Sequence, residues 1–274
     1  MLPYLGYFAA IFIGLSLGVL GGGGSILTVP VLVYLMGVSP VLSTAYSLFV
    51  VGSTSVVGAS GYFRKGLVSL PVAVVFLLPS LVTIFAVRKL LMPIIPHTLF
   101  TIGDFVFTKD LLVLLVFALL MVGAALPMIR GSYADAGAGQ SEMRLAQPPL
   151  TYALVMGIGL VVGALTGFVG AGGGFLIIPA LVLGARLPMK RAVGTSLVII
   201  ATNSLIGFTG DLSAGTPIDW PFLLGFMAFA LAGMVLGSFL ARFIPNARLK
   251  PAFGWFTLAM GTFILLRELL FSAF

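Results

Sequence analysis

GGGGSILTVP, residues 21–30, interrupts the first long apolar run of the chain, and GAGGGFLIIP, residues 170–179, does the same to a later one. Glycine costs a helix interior about 1 kcal/mol per residue relative to alanine, so a run of three or four ends or breaks the helix it sits in. Each run is followed by only about a dozen apolar residues before the next turn signal. A helix of that length covers about 18 Å, short of the roughly 30 Å of a bilayer's hydrocarbon core. The pattern is a long apolar helix, a glycine break and a short helix restarting after it, written twice.

The two copies share more than glycine. A shift of 149 residues lays Gly14, Gly18, Gly21, Gly23 and Gly24 on Gly163, Gly167, Gly170, Gly172 and Gly173. The same shift lays Ser47, Ser55, Gly58, Gly61 and Gly66 on Ser196, Ser204, Gly207, Gly210 and Gly215. Leucines coincide by chance in so apolar a chain. A common register of glycine and serine over about fifty residues does not, and it marks a duplicated unit. The reading divides the chain into a first repeat (1–129), a linker (130–149) and a second repeat (150–274). Each repeat holds five apolar segments: 3–20, 25–37, 42–63, 70–91 and 111–129, then 150–169, 174–185, 190–210, 220–241 and 249–270. Residues 92–110 read as a loop. The linker, RGSYADAGAGQSEMRLAQPP, is the one long polar stretch.

Of 274 residues, 60% are hydrophobic and 8% charged, too few charges to cover a water-soluble surface. The class is an all-α integral membrane protein. The net charge of +7 fits basic cytoplasmic loops and needs no nucleic acid as partner. The start, MLPYLGYFAAIFIG, lacks a basic region and reads as a first membrane segment rather than a cleaved leader. With no cysteine there is no disulfide, no thiolate metal site and no cysteine-based sulfur relay. HExxH, GxSxG and the Gly-Lys-Ser/Thr of a phosphate-binding loop are missing, and a lone histidine builds none of the common catalytic sets. No enzyme, no metal and no cofactor is expected.

Five segments is an odd number, so the second repeat enters the membrane from the side opposite to the first. With the N-terminus outside, Arg64, Lys65, Arg130, Arg144, Arg186, Lys190, Arg191, Arg242, Arg248 and Lys250 lie in the cytoplasm. Only Arg88, Lys89, Lys109 and Arg267 lie outside, a split of ten to four that obeys the positive-inside bias. The expected architecture is two inverted repeats, each a glycine-broken helix plus a short half-helix followed by three transmembrane helices. That is a transporter design.

A short helix that starts near mid-membrane points free N–H groups and partial positive charge at the protein's centre, which suits an anion. The candidate substrate-binding residues are therefore Gly22, Gly23, Gly24 and Ser25 in the first repeat and Gly172, Gly173 and Gly174 in the second. Ser25 or Thr28 is expected to cap the restart, and Pro30 and Pro179 to sit in its first turn. The third segments add neutral donors: Ser47 and Thr54, seven apart on one helix face, with Thr195, Ser196 and Asn203 in the second repeat. The competing reading is structural, with glycines closing helix seams and hydroxyls bonding their own helix carbonyls. Lys190 and Arg191 are explained by topology, Asp211 and Asp219 by an outer loop, His97 by a solvent-facing turn, and Arg267 and Glu268 by snorkelling at a span's end.

GVLGGGGSILTVPVLVYLMGVSP (18–40) and GFVGAGGGFLIIPALVLGARLPMKRAVGTSLVIIATNSLIG (167–207) resemble the paired signatures of the TauE/SafE sulfite-exporter family of membrane transporters. GYFRKGLVSLP (61–71) and GDLSAGTPIDWP (210–221) resemble that family's loops after the third segment. The resemblance covers nearly the whole chain and implies transport of small sulfur-containing anions: sulfite, thiosulfate, or organosulfonates such as sulfoacetate. Export across the inner cell membrane is the direction expected, with assembly into a homo-oligomer left open. In the first repeat AYS (45–47) stands where the second has GTS (194–196), so Tyr46 is expected to reshape that side of a cavity. A passive small-anion channel built on the same half-helix ends is the alternative reading.

Overall fold

A computed structural model describes residues 2–102, 105–130, 149–169, 174–185, 187–244 and 246–271. The first helix, α1 (Leu2–Leu20), ends at Gly21, whose φ of +69° lies in the left-handed region that glycine enters freely. The chain then reverses. In α2 (Gly23–Pro30) a Cβ on Gly24 would collide with Ile13 and Leu17 of α1, and further on Met36 fills the space beside Gly6. Residues 36 and 6 thus lie together, and α1 and α2 form an antiparallel helical hairpin. Between α7 (Pro149–Val169) and α8 (Gly174–Pro179) the arrangement repeats, with Gly184 set against Ile158.

Both short helices run through their proline into a five-residue π segment, Val31–Leu35 and Ala180–Gly184. Pro30 and Pro179 therefore close the α-helical part rather than open it, contrary to the expected first-turn placement. The restart comes directly after the glycines, which carries each proline into the helix body. There its missing N–H and bulky ring are incompatible with regular α bonding. The wider turn absorbs the defect: the Met36 N–H reaches the Val31 carbonyl at 3.1 Å and the Ala185 N–H the Ala180 carbonyl at 3.3 Å.

The centre belongs to α3 (Pro40–Arg64) and α9 (Met189–Ser213). Their most apolar stretches are 67% and 72% buried, against 28–39% in the other four membrane-length helices. These two helices carry most of the Ser, Thr and Asn within the spans, which need protein rather than lipid around them. They cross antiparallel, Gly52 against Leu205 and Gly58 against Leu197. Each ends in the same way, on a left-handed glycine: Gly66 with the Leu67 N–H on the Tyr62 carbonyl, and Gly215 with the Thr216 N–H on the Asp211 carbonyl.

Around this pair stand α4 (Leu70–Ala86), α6 (Lys109–Arg130), α10 (Trp220–Leu240) and α11 (Asn246–Phe271). Among the described residues six helices are long and apolar enough to cross a membrane, and the molecule is an all-α membrane protein. Helix α1 lies along α10, α7 along α4, and α6 against α11, so each large contact joins one half of the chain to the other. Small residues make this closeness possible: a Cβ on Gly14, Gly233 or Gly237 would overlap the backbone of Ala230, Ile11 or Leu15 across the α1–α10 seam. Phe8, Phe12, Leu78, Val82, Val161 and Trp255 point outward from the bundle, an apolar surface suited to lipid.

Residues 92–110, expected to be a loop, are more ordered. After a π segment at Val87–Leu91, the short α5 (Met92–Ile94) leads into an antiparallel hairpin of β1 (Thr98–Ile102) and β2 (Phe105–Thr108). Phe100 and Phe107 stack across it with ring centres 4.7 Å apart. The strands are apolar on both faces, so they lack the alternation that distinguishes a strand in sequence.

Candidate functional site

The restart points of the two halves meet. A Cβ on Gly22 would overlap the Gly174 backbone, and one on Gly174 would stand 2.5 Å from the Gly22 Cα. The hairpin tips therefore touch backbone to backbone, and α9 closes over them, with Ile200 against Gly174 and Val193 against Gly21. Only glycine at both positions permits this approach. Gly23 and Gly24 open α2 directly beyond the contact, while Gly172 and Gly173 lie outside the described residues.

No side chain caps the start of α2. The Ser25 hydroxyl donates to the Gly22 carbonyl at 2.6 Å and that of Thr28 to the Gly24 carbonyl at 3.1 Å, so the expected side-chain cap is not made. Both residues lie inside the helix, where a hydroxyl reaches back to a carbonyl three or four residues earlier. The first-turn N–H groups of α2 keep their partial positive charge without an acidic residue in the turn.

The polar residues of α3 and α9 fall into two groups. Thr54 donates to the Val50 and Val51 carbonyls at 2.7 and 3.1 Å, and Ser196 to the Val193 carbonyl at 2.9 Å. Ser47 is fully buried, and its hydroxyl has no hydrogen-bond partner among the described residues. The same holds for Ser55 and Ser204, which occupy one repeat position and were not among the sequence candidates, and for Thr166 on α7. The signal for the serine pair was present in their shared register. Asn203 faces Ser80 of α4, with Oδ1 and Nδ2 3.1 and 3.0 Å from its hydroxyl. Ser80 stands where α4, α7 and α9 meet, since Gly163 is set directly against it. A buried hydroxyl without an acceptor is a donor at a cost of about 1–3 kcal/mol until something accepts from it.

Thr195 and Tyr46 hold the helix starts. The Thr195 hydroxyl accepts the Ser69 N–H at 2.9 Å, just ahead of α4. The Tyr46 hydroxyl accepts the Asp219 N–H at 2.9 Å, just ahead of α10, and its ring lies against Phe222. Asp219 itself caps α10 through the Phe222 N–H.

Charged groups gather at the end of the molecule where α3 begins and α9 ends. Asp211, expected in an exposed loop, is only 7% accessible and pairs with Arg88 at 3.1 Å, because the π segment after α4 turns Arg88 inward against α9. The Lys109 ammonium donates to the Met92 carbonyl. Arg267 lies 3.5 Å over the Tyr34 ring, and the Tyr34 hydroxyl donates to Glu268 at 2.8 Å, so both end-of-span residues are engaged rather than simply snorkelling. An open cavity of about 410 Å³ lies between Tyr34, Thr108, Asp110, Arg267 and Glu268 at this same end. His97 is exposed in the turn before β1, as expected.

A family profile described as Sulfite exporter TauE/SafE matches residues 6–264. A "Probable membrane transporter protein" of Xylella fastidiosa (strain 9a5c) is 33% identical over 259 residues, 93% of this chain and 92% of the relative. A second from Xylella fastidiosa (strain Temecula1) is 30% identical over 93% of this chain and 92% of its own length. The "Probable membrane transporter protein YunE" of Bacillus subtilis is 27% identical over 87% of this chain and 89% of its own. No solved structure matches the chain.

Proposed function

The chain belongs to the TauE/SafE sulfite exporter family and is a multi-pass membrane transporter; on that premise we propose that its cargo is a small sulfur-containing anion, sulfite or an organosulfonate, moved outward across the inner cell membrane. The observation that carries this is the meeting of Gly22 and Gly174: two helix starts, one from each half, converge on one point, and the central helices α3 and α9 carry buried hydroxyls that lack partners among the described residues. Helix N-termini and neutral hydroxyls hold an oxyanion without binding it so tightly that it cannot leave. The antiparallel crossing of α3 and α9, which occupy the same position in their repeats, supports an inverted duplication.

In the proposed cycle the tips part to admit the anion and close behind it, with access alternating between the two faces. Ser47 and Asn203 supply donors from opposite halves. The proposed orientation puts the N-terminus outside. With the cell interior negative, exit of a monoanion gains about 2.3 kcal/mol per 100 mV, so export runs without a coupled ion.

Counterflow in proteoliposomes loaded in turn with sulfite, sulfoacetate, thiosulfate, sulfate and chloride tests this. Exchange accelerated by one sulfur anion is the expected result. Unselective flux of all five without acceleration would mean a channel. Asn203→Ala and Ser47→Ala are expected to lose exchange while remaining folded in the membrane, and wild-type rates in both would remove them from the site.

A further inference from the structure

Arg88 is 1% accessible, yet only one of its three guanidinium nitrogens is matched. Nη1 donates to Asp211 Oδ1 and Oδ2 at 3.1 and 3.2 Å and to Thr44 Oγ1 at 3.1 Å. Nε and Nη2 have no acceptor among the described residues. These two groups form one edge of the planar guanidinium, with their N–H bonds parallel and spaced to meet two oxygens of a single oxyanion. A buried cationic donor left unmatched costs more than a neutral one, so a free edge fully out of solvent is a feature that a ligand would relieve.

Position agrees with that use. Asp211 balances Arg88 and Asp110 stands beside Lys109, so the four charges sum to zero and what the free edge offers an oxyanion is directed donors rather than net charge. Arg88 follows Val87, against which Gly167 packs, two residues before α7 ends and the second glycine run begins. It thus lies between the end of the molecule that carries the charged cluster and the second hairpin. The other half has no equivalent: counted from the paired prolines Pro71 and Pro221, the counterpart of Arg88 is Ser238, whose hydroxyl bonds the Val235 carbonyl.

We propose that the Nε–Nη2 edge of Arg88 is a second anion site, one that takes a sulfite or sulfonate group side-on between the hairpin tips and the end where α9 finishes. The proposal rests on the transporter reading for its choice of anion. Its geometry calls for a ligand with two acceptor oxygens on one centre, which halide lacks.

Titration of sodium sulfite and sodium methanesulfonate into the purified full-length protein in detergent, followed calorimetrically, tests the site apart from transport. Arg88→Lys keeps a cation opposite Asp211 but cannot present the fork. It is expected to weaken both anions by about tenfold, the loss of roughly one charge-assisted bond, with chloride unaffected. Wild-type affinity in a folded Arg88→Lys protein would overturn the site and leave the transporter reading standing. Should that variant fail to fold, Asp211→Asn serves: it leaves the fork in place and removes its competing charge, so sulfite should bind several-fold more tightly, and unchanged binding would overturn the proposal. Wild-type protein that neither binds nor exchanges any sulfur anion would overturn the transporter's proposed cargo and this site with it.

Discussion

At position 195 a threonine hydroxyl accepts a backbone N–H from the start of α4, and 149 residues earlier a tyrosine hydroxyl accepts the matching N–H from the start of α10. In sequence, Tyr46 reads as a departure, an aromatic ring where the second repeat has a small residue. In the structure it is a substitute: a longer side chain delivering the same oxygen to the same kind of target. The repeat register was legible, but the equivalence was not, because it depends on reach and on a partner in the opposite half. Ser55 and Ser204 were passed over for a related reason, since a shared position says nothing about whether a hydroxyl has a partner. Thr195→Val should leave the Ser69 N–H buried and unmatched, costing about 1–3 kcal/mol. A lower melting temperature that Thr195→Ser restores is the expected result. Lost transport with unchanged melting would instead place Thr195 at the anion.

Among elements, the long segments could be read to within a few residues because a membrane imposes their length and polarity. What escaped was local. The π segments after Pro30 and Pro179 are geometric responses to proline inside a restarted helix, and the β-hairpin at 98–108 is apolar on both faces. Arg88 reads from sequence as a charge on the outer side and Asp211 as part of an outer loop; only their pairing between α9 and the π segment after α4 buries them. The glycine seams give a sharp test. Gly237→Leu would drive a side chain into the Leu15 carbonyl, where backbone cannot yield cheaply, and should separate α1 from α10. Gly123→Leu on α6 meets nothing within 4 Å. Size-exclusion profiles and melting curves in detergent should show the first variant aggregated or strongly destabilised and the second close to wild type.

For the whole molecule, the charge-based orientation can be tested cleanly because the chain has no cysteine of its own. Single cysteines at Ser39 and Ala214 should react with a membrane-impermeant maleimide from outside the cell, and those at Lys65 and Pro188 only after lysis; all four positions are exposed. The opposite pattern would reverse the orientation and, with it, the direction in which Arg88 faces.

Every large seam joins residues far apart in the chain: α1 to α10, α4 to α7, α6 to α11. During synthesis at about 5–20 residues per second, α1 leaves the ribosome roughly 10–45 s before α10 exists. For that interval its glycine-lined face has no mate, only lipid or the insertion machinery. The nascent first half is thus an unfinished surface whose completion is scheduled by translation. Slowing elongation within the linker should lengthen its exposure to membrane proteases without altering the finished protein.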